Sequence, residues 1–244
     1  MVPAWLHILS ILSLLAGLAS AIVIAIDEAR DPQHMWIMNV VWPATALFAS
    51  VISLWGYFAY GKLAARSRAM PAMRNDEPMP SKTRTPFPAM VAKGAAHCGS
   101  GCALGDIVAE WLAFFVPAIA IWLGWQTVFP EKIFAVWVLD FILAFAFGVA
   151  FQYFTIKPMR ELSVGQGLLQ AVKADALSLT SWQVGMYGFM AVAHFWIFGH
   201  LLGIRLEVPT VEFWFMMQLA MLCGFVTAYP VNWWLITIGV KERM

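Results

Sequence analysis

Charge is what this sequence has least of. Asp, Glu, Lys and Arg make up 12% of its 244 residues, hydrophobic residues make up 61%, and the mean hydropathy is +0.74. Soluble domains carry about a quarter charged residues, so a water-soluble fold of this length is excluded and an integral membrane protein, with the lipid bilayer as its partner, is what remains. The formal net charge of +1 offers no footprint for nucleic acid and no handle on an acidic partner. Cysteine is also rare. There are three, all in or beside apolar stretches, which excludes a secreted disulfide framework. The runs G-x-x-x-x-G-K-[ST], H-E-x-x-H and G-x-S-x-G are missing, so this chain carries no ATP-driven pump, zincin site or hydrolase nucleophile of those types. The first apolar stretch lacks a basic leader and a clear small-residue cleavage site, and is expected to be a retained helix.

Long apolar runs are what is there. About 20 such residues cross the hydrocarbon core as a helix, and six segments qualify: 3–26, 36–60, 98–125, 133–156, 181–204 and 212–240. They predict an all-α membrane protein of six transmembrane helices, a two-helix hairpin over 1–60 and a four-helix bundle unit over 97–244. The connection 61–96 between them is rich in proline and polar residues and is expected to be a flexible loop without regular elements. The stretch 158–179, with apolar residues at mixed spacings of three and four, predicts a short amphipathic helix lying on the membrane surface.

Twelve of the fifteen Lys and Arg residues lie in the connections after the second and fourth segments and in the tail, whereas Arg30, Lys132 and Arg205 stand alone in the other three. The positive-inside rule then places both termini in the cytoplasm of a bacterial inner (plasma) membrane, with His97 and Cys98 at the cytoplasmic mouth of the third helix.

That helix carries the chemistry. Cys98, Cys102, Asp106 and Glu110 recur at every fourth residue and form one slowly drifting polar stripe, while Gly101, Gly105 and Ala109 repeat the small-xxx-small pattern of a close helix–helix seam. Carboxylates inside a membrane cost several kcal/mol unless paired or hydrated, so Asp106, Glu110 and Asp140 each require a role. Met186, Met190 and His194 make a second stripe of soft or borderline donors on the fifth helix. Pro230 in the sixth removes a helix hydrogen bond and predicts a bend.

Two thiols, an imidazole and several thioethers suit Cu(I) and other thiophilic ions. The two sulfurs of Cys98-x-x-x-Cys102 are about 5–6 Å apart on one helix face, and the partial positive charge of a helix N-terminus would favour their thiolates. The metal candidates are therefore His97, Cys98, Cys102, Met186, Met190 and His194, with Asp106, Glu110 and Asp140 as the proton or ion path. The loop methionines, such as Met70, Met73 and Met79, are weaker candidates for gathering metal. The plain alternative is that buried cysteine and methionine are core packing, that His97 caps a helix, and that the tryptophans are interfacial anchors.

The runs His97-Cys98-x-x-Gly101-Cys102-x-Leu104-Gly105-Asp106-x-x-Ala109-Glu110-Trp111, Thr180-Ser181-Trp182-Gln183-Val184-Gly185-Met186-Tyr187-Gly188 and Tyr229-Pro230-Val231-Asn232-Trp233-Trp234-Leu235 together resemble an uncharacterised family of small bacterial membrane proteins, a domain of unknown function. The resemblance covers about 86 to the C-terminus and leaves out the N-terminal hairpin. It implies a four-helix unit with its signature in helices three, five and six, and implies no activity.

On these residues the expected function is binding and translocation of a soft transition-metal ion, Cu(I) first. A cytoplasmic metallochaperone and a second copy of the chain are the candidate protein partners. The competing readings are a membrane thiol-disulfide oxidoreductase working with quinone, a haem carrier using two of His97, His194 and His200, and a structural membrane subunit whose polar stripe sets helix register.

Overall fold

The computed structural model describes residues 2–156 and 163–242. The elements are α1 (Ala4–Arg30), α2 (Met38–Ala59), a 3-10 turn (Gly61–Ala64), α3 (Arg66–Arg74), α4 (Pro80–Thr83), α5 (Phe87–Phe115), α6 (Ala118–Trp122), α7 (Lys132–Ile156), α8 (Val164–Ala191) continued by a π-helical stretch (Val192–Leu201), and α9 (Val211–Thr237). Among the described residues there is no β-strand. Six helices, α1, α2, α5, α7, α8 with its π-helical continuation, and α9, are long and apolar enough to cross a membrane. The chain is the all-α, multi-pass membrane protein that its hydropathy predicted.

Burial is inverted relative to a soluble protein. On α1 the large residues Leu12, Leu15, Leu18 and Ile22 are exposed while Ser10, Gly17, Ser20 and Glu28 are buried, because lipid solvates large apolar side chains and helices pack through small or hydrogen-bonding ones. The glycine seam of α5 works in this way. A methyl group on Gly105 would stand 2.5 Å from the Ala144 nitrogen, and one on Gly101 2.9 Å from the Gly148 nitrogen, so α5 and α7 touch backbone to backbone.

The second segment does not use its length to cross. Ser50 interrupts α2 with φ 47° and ψ −125°, and the chain doubles back. Trp42 lies edge-on to Tyr57 with ring centroids 5.5 Å apart, and a methyl on Gly61 would meet the Trp42 ring at 2.8 Å. The end of α2 therefore returns to the turn it left: Tyr57 and Lys62 hydrogen-bond Asp27 at 2.7 and 2.9 Å, and Arg66 N donates to the Pro32 carbonyl at 2.8 Å. At 1.5 Å per residue the half before Ser50 is about 18 Å long and the half after it about 14 Å, enough to reach mid-bilayer and come back. Its tip meets the middle of α1, where a methyl on Gly17 would be 2.7 Å from the Leu47 carbonyl oxygen.

This re-entrant hairpin corrects the expected placement of the termini. His7 pairs with Glu212 at the start of α9 at 2.6 Å, whereas Lys241, just past the end of α9, bonds the Gly94 carbonyl near the start of α5. The two ends of the chain therefore lie at opposite ends of the bundle. Hydropathy could not reveal this, because two half-spans back to back have the same composition as one full span.

Three boundaries also differ. The third segment starts at Phe87, with proline in its first turn, and ends at Phe115 before Pro117, so Cys98 is not at a helix mouth and 98–125 is not one element. The first turn of α8 at Val164 is closed by a capping box between Ser163 and Gln166, and the helix runs on unbroken; residues 164–179 are thus part of the fifth long helix rather than a separate surface helix, and 158–162 lie outside the described residues. The connection expected to lack regular elements contains α3, α4 and a 3-10 turn, held to the α1–α2 turn by the Asp31 carboxylate on Ser67 at 2.6 Å and by a bridge between Gln33 and Ala65. α9 runs through Pro230 as one helix, and non-helical backbone inside a long helix is found at Ser50.

Candidate functional site

Polar groups gather at two depths along α5. The deeper set lies in mid-helix. Asp106 and Glu110 of α5 and Asp140 of α7 are all buried and close enough to interact electrostatically, with Lys132 the cation nearest Glu110. Tyr187 of α8 lies within the field of all three acids and of Cys102, and donates its hydroxyl to the Trp137 carbonyl at 2.9 Å. Gln183 faces Asp106 without hydrogen-bond geometry, and neither oxygen of Asp106 has a hydrogen-bond partner.

Asp106 lines a cavity of about 220 Å³ between α1, α2, α5 and α9. Phe48, Trp214, Met217 and Met221 form apolar wall, and the tip of the re-entrant hairpin contributes Leu47. Gln218 braces that tip. Its amide nitrogen donates to the Leu47 carbonyl at 2.6 Å, and its oxygen accepts from Ser13 at 2.7 Å. The break at Ser50 leaves the last carbonyls of the first half-helix without helical partners, and the negative end of that half-helix dipole faces the middle of the bundle. Irregular backbone at membrane depth is tolerated where it is buried in protein or lines a cavity.

The second set sits about two turns nearer the Lys241 end of the bundle and is fully enclosed. The Cys98 thiol donates to Asp175 Oδ1 at 2.6 Å, lies 3.2 Å from Ser178 Oγ, and accepts from Lys241 Nζ at 2.8 Å. Lys241 also donates to Asn232 Oδ1 at 2.7 Å, and Asn232 donates in turn to Ser178 at 2.6 Å. Burial by itself favours loss of the Lys241 charge, but Cys98 and Asp175 outweigh it and hold the ammonium above the ordinary lysine value. Two glycines make room here. A methyl on Gly99 would run into the Trp182 ring and one on Gly224 would fall 2.6 Å from it, so Trp182 is wedged between α5 and α9.

The six metal candidates do not form one site. His97 is buried and bonded to Thr155 at 3.0 Å, near the end of α7, whereas His194 sits in the π-helical stretch within the field of Glu131, just before α7 begins. The 25 residues of α7 span about 36 Å, which also separates these two histidines as a haem pair. Cys102, Met186 and Met190 share the central core with Trp182 and Met221. Among the described residues no group of three or more His, Cys, Asp or Glu side chains could hold a metal ion, and the three cysteines are free. The helix-terminus argument for thiolates lapses, since Cys98 is eleven residues beyond Phe87 and the dipole acts within the first turn.

Sequence reasoning missed Asp175, Ser178 and Lys241. Asp175 and Ser178 are three apart and share a helix face, a signal hidden by reading 158–179 as a surface helix; Lys241 looked like a topology marker. Comparison with curated proteins and with solved structures finds no match. A family model described as a domain of unknown function (DUF4396) matches residues 89–241, from the first turn of α5 to the buried lysine. With more than half of its length matched, the chain belongs to the DUF4396 family.

Proposed function

We propose that this protein moves a cation across a bacterial inner membrane along the polar face of α5, with Asp106, Glu110 and Asp140 as the proton and ion path. The observation that carries the reading is Asp106: a buried carboxylate with neither oxygen hydrogen-bonded, facing a cavity at the tip of a re-entrant hairpin. A carboxylate left that way in a membrane must be protonated or must meet a cation, and alternation between the two is proton-coupled transport. Cys102, Met186 and Met190 in the adjoining core make Cu(I) the first ion to test.

Orientation follows from charge. Once α2 is folded back, Arg30 joins the basic end, and only Lys132 and Arg205 remain at the other. The Lys241 end is then cytoplasmic and the amino end of α1 external, and a metallochaperone would approach the Lys241 end.

The test is flux in proteoliposomes holding a Cu(I) chelator under reducing conditions, with a pH dye inside. Cu(I) entry and opposed or parallel proton movement are expected, and Asp106→Asn should bind the ion but reduce flux to the level of empty vesicles. Wild-type protein that moves neither Cu(I) nor protons would sink the reading. That outcome would favour the structural alternative, to which the closed hydrogen-bond network around Cys98 lends its own support.

A further inference from the structure

The surroundings of the Lys241 ammonium are those of a bound cation. Four acceptors from three long helices converge on one nitrogen: the Gly94 carbonyl at 3.1 Å and Cys98 Sγ at 2.8 Å from α5, Asp175 Oδ1 at 3.4 Å from α8, and Asn232 Oδ1 at 2.7 Å from α9. The side chains of Lys241 and Asp175 are 0% exposed. Asn232 is oriented for this task, because its amide nitrogen is spent on Ser178 and the Ala228 carbonyl, which leaves its oxygen facing inward. Asp175 turns Oδ1 to Cys98 and Lys241, while its Oδ2, beside Gly148 of α7, is buried with no hydrogen-bond partner, so the carboxylate is only half used.

The cation is on a tether. α9 ends at Thr237, Gly239 turns the chain with φ 75°, and the Val240 and Lys241 amides bond back to the Leu235 carbonyl, aiming the side chain into the bundle. That ending lies outside the helix and is the part of the site that can withdraw without unpacking a membrane span.

We propose that Gly94, Cys98, Asp175 and Asn232 form a cation-binding site in which Lys241 is a tethered occupant, displaced when a thiophilic metal cation arrives from the cytoplasm. The proposal rests on the transport reading above and names the gate of the same path. On displacement the Cys98 thiol gives its proton to water through Asp175, a metal–sulfur bond forms, and the ammonium moves out with the tail; no electron is transferred. One sulfur with three oxygens suits Cd²⁺ or Zn²⁺ better than Cu(I), which prefers a softer donor set.

The test uses full-length protein in detergent under reducing conditions, titrated with Cd²⁺ and followed by thiolate-to-metal charge-transfer absorbance. Lys241→Met is expected to bind Cd²⁺ at least about tenfold tighter than wild type, and Lys241→Met/Cys98→Ser is expected to lose that absorbance. A Lys241→Met protein as helical and monodisperse as wild type that binds no tighter overturns the proposal. A second measurement needs no variant: Cd²⁺ should raise acetylation of Lys241 by an N-hydroxysuccinimide ester severalfold in wild type, read by peptide mass, and unchanged acetylation at saturating Cd²⁺ also overturns it. Displacement without flux would sink transport and keep the site. Flux without displacement would do the reverse.

Discussion

Trp42 and Tyr57 face each other edge to face, ring centroids 5.5 Å apart, within one apolar segment. On a straight helix their Cα atoms would be about 22 Å apart along the axis. The contact is the signature of the reversal at Ser50, and the depth of the hairpin tip, the cavity beside it and the sidedness of the chain all follow from it.

The hairpin's strain gives the first test. Ser50 has a side chain where φ is 47° and ψ −125°, a region that costs residues other than glycine about 1–3 kcal/mol. Ser50→Gly is expected to raise the thermal midpoint in detergent and Ser50→Val to lower it. The opposite order would mean that α2 is continuous.

Sidedness gives the second. Ala4→Cys and Val128→Cys should react with a membrane-impermeant maleimide added to spheroplasts, and Met73→Cys only after permeabilisation. Val128 and Met73 are exposed, and two of the three native cysteines are buried. Protection of Ala4→Cys with labelling of Val128→Cys would restore a full crossing by α2 and both termini to one side.

Helix contact gives the third. Gly105→Ala places a methyl against the backbone of α7, which cannot yield as a side chain would, and should cost about 1–3 kcal/mol or more. Gly188→Ala, where a methyl meets nothing within 4 Å, should gain about 0.5–1 kcal/mol from helix propensity. Equal stability of the two variants would remove the α5–α7 seam from the account.

Lys241 gives the fourth. Its folded-state pKa is raised above the ordinary value of 10.5, so the stability it contributes is fully present below about pH 10.5 and is lost only as pH rises through the higher folded value. The difference in thermal midpoint between wild type and Lys241→Met should stay constant from about pH 6 to 9. A difference that shrinks across that range would place the folded value below the ordinary one.

Sequence alone determined the membrane class, the presence of six long apolar segments and the helix that carries the polar chemistry. Those follow from local rules: apolar length, the four-residue period of Cys98, Cys102, Asp106 and Glu110, and the small residues of the seam. Tertiary structure alone decided three things. It turned α2 back at Ser50, because a serine at positive φ leaves no mark in composition. It parted His97 from His194 by most of the length of α7, because donor type says nothing about height in the bundle. And it brought Lys241 to Cys98 across 143 residues, because a buried cation is held by donors from several helices, which no spacing along one of them encodes.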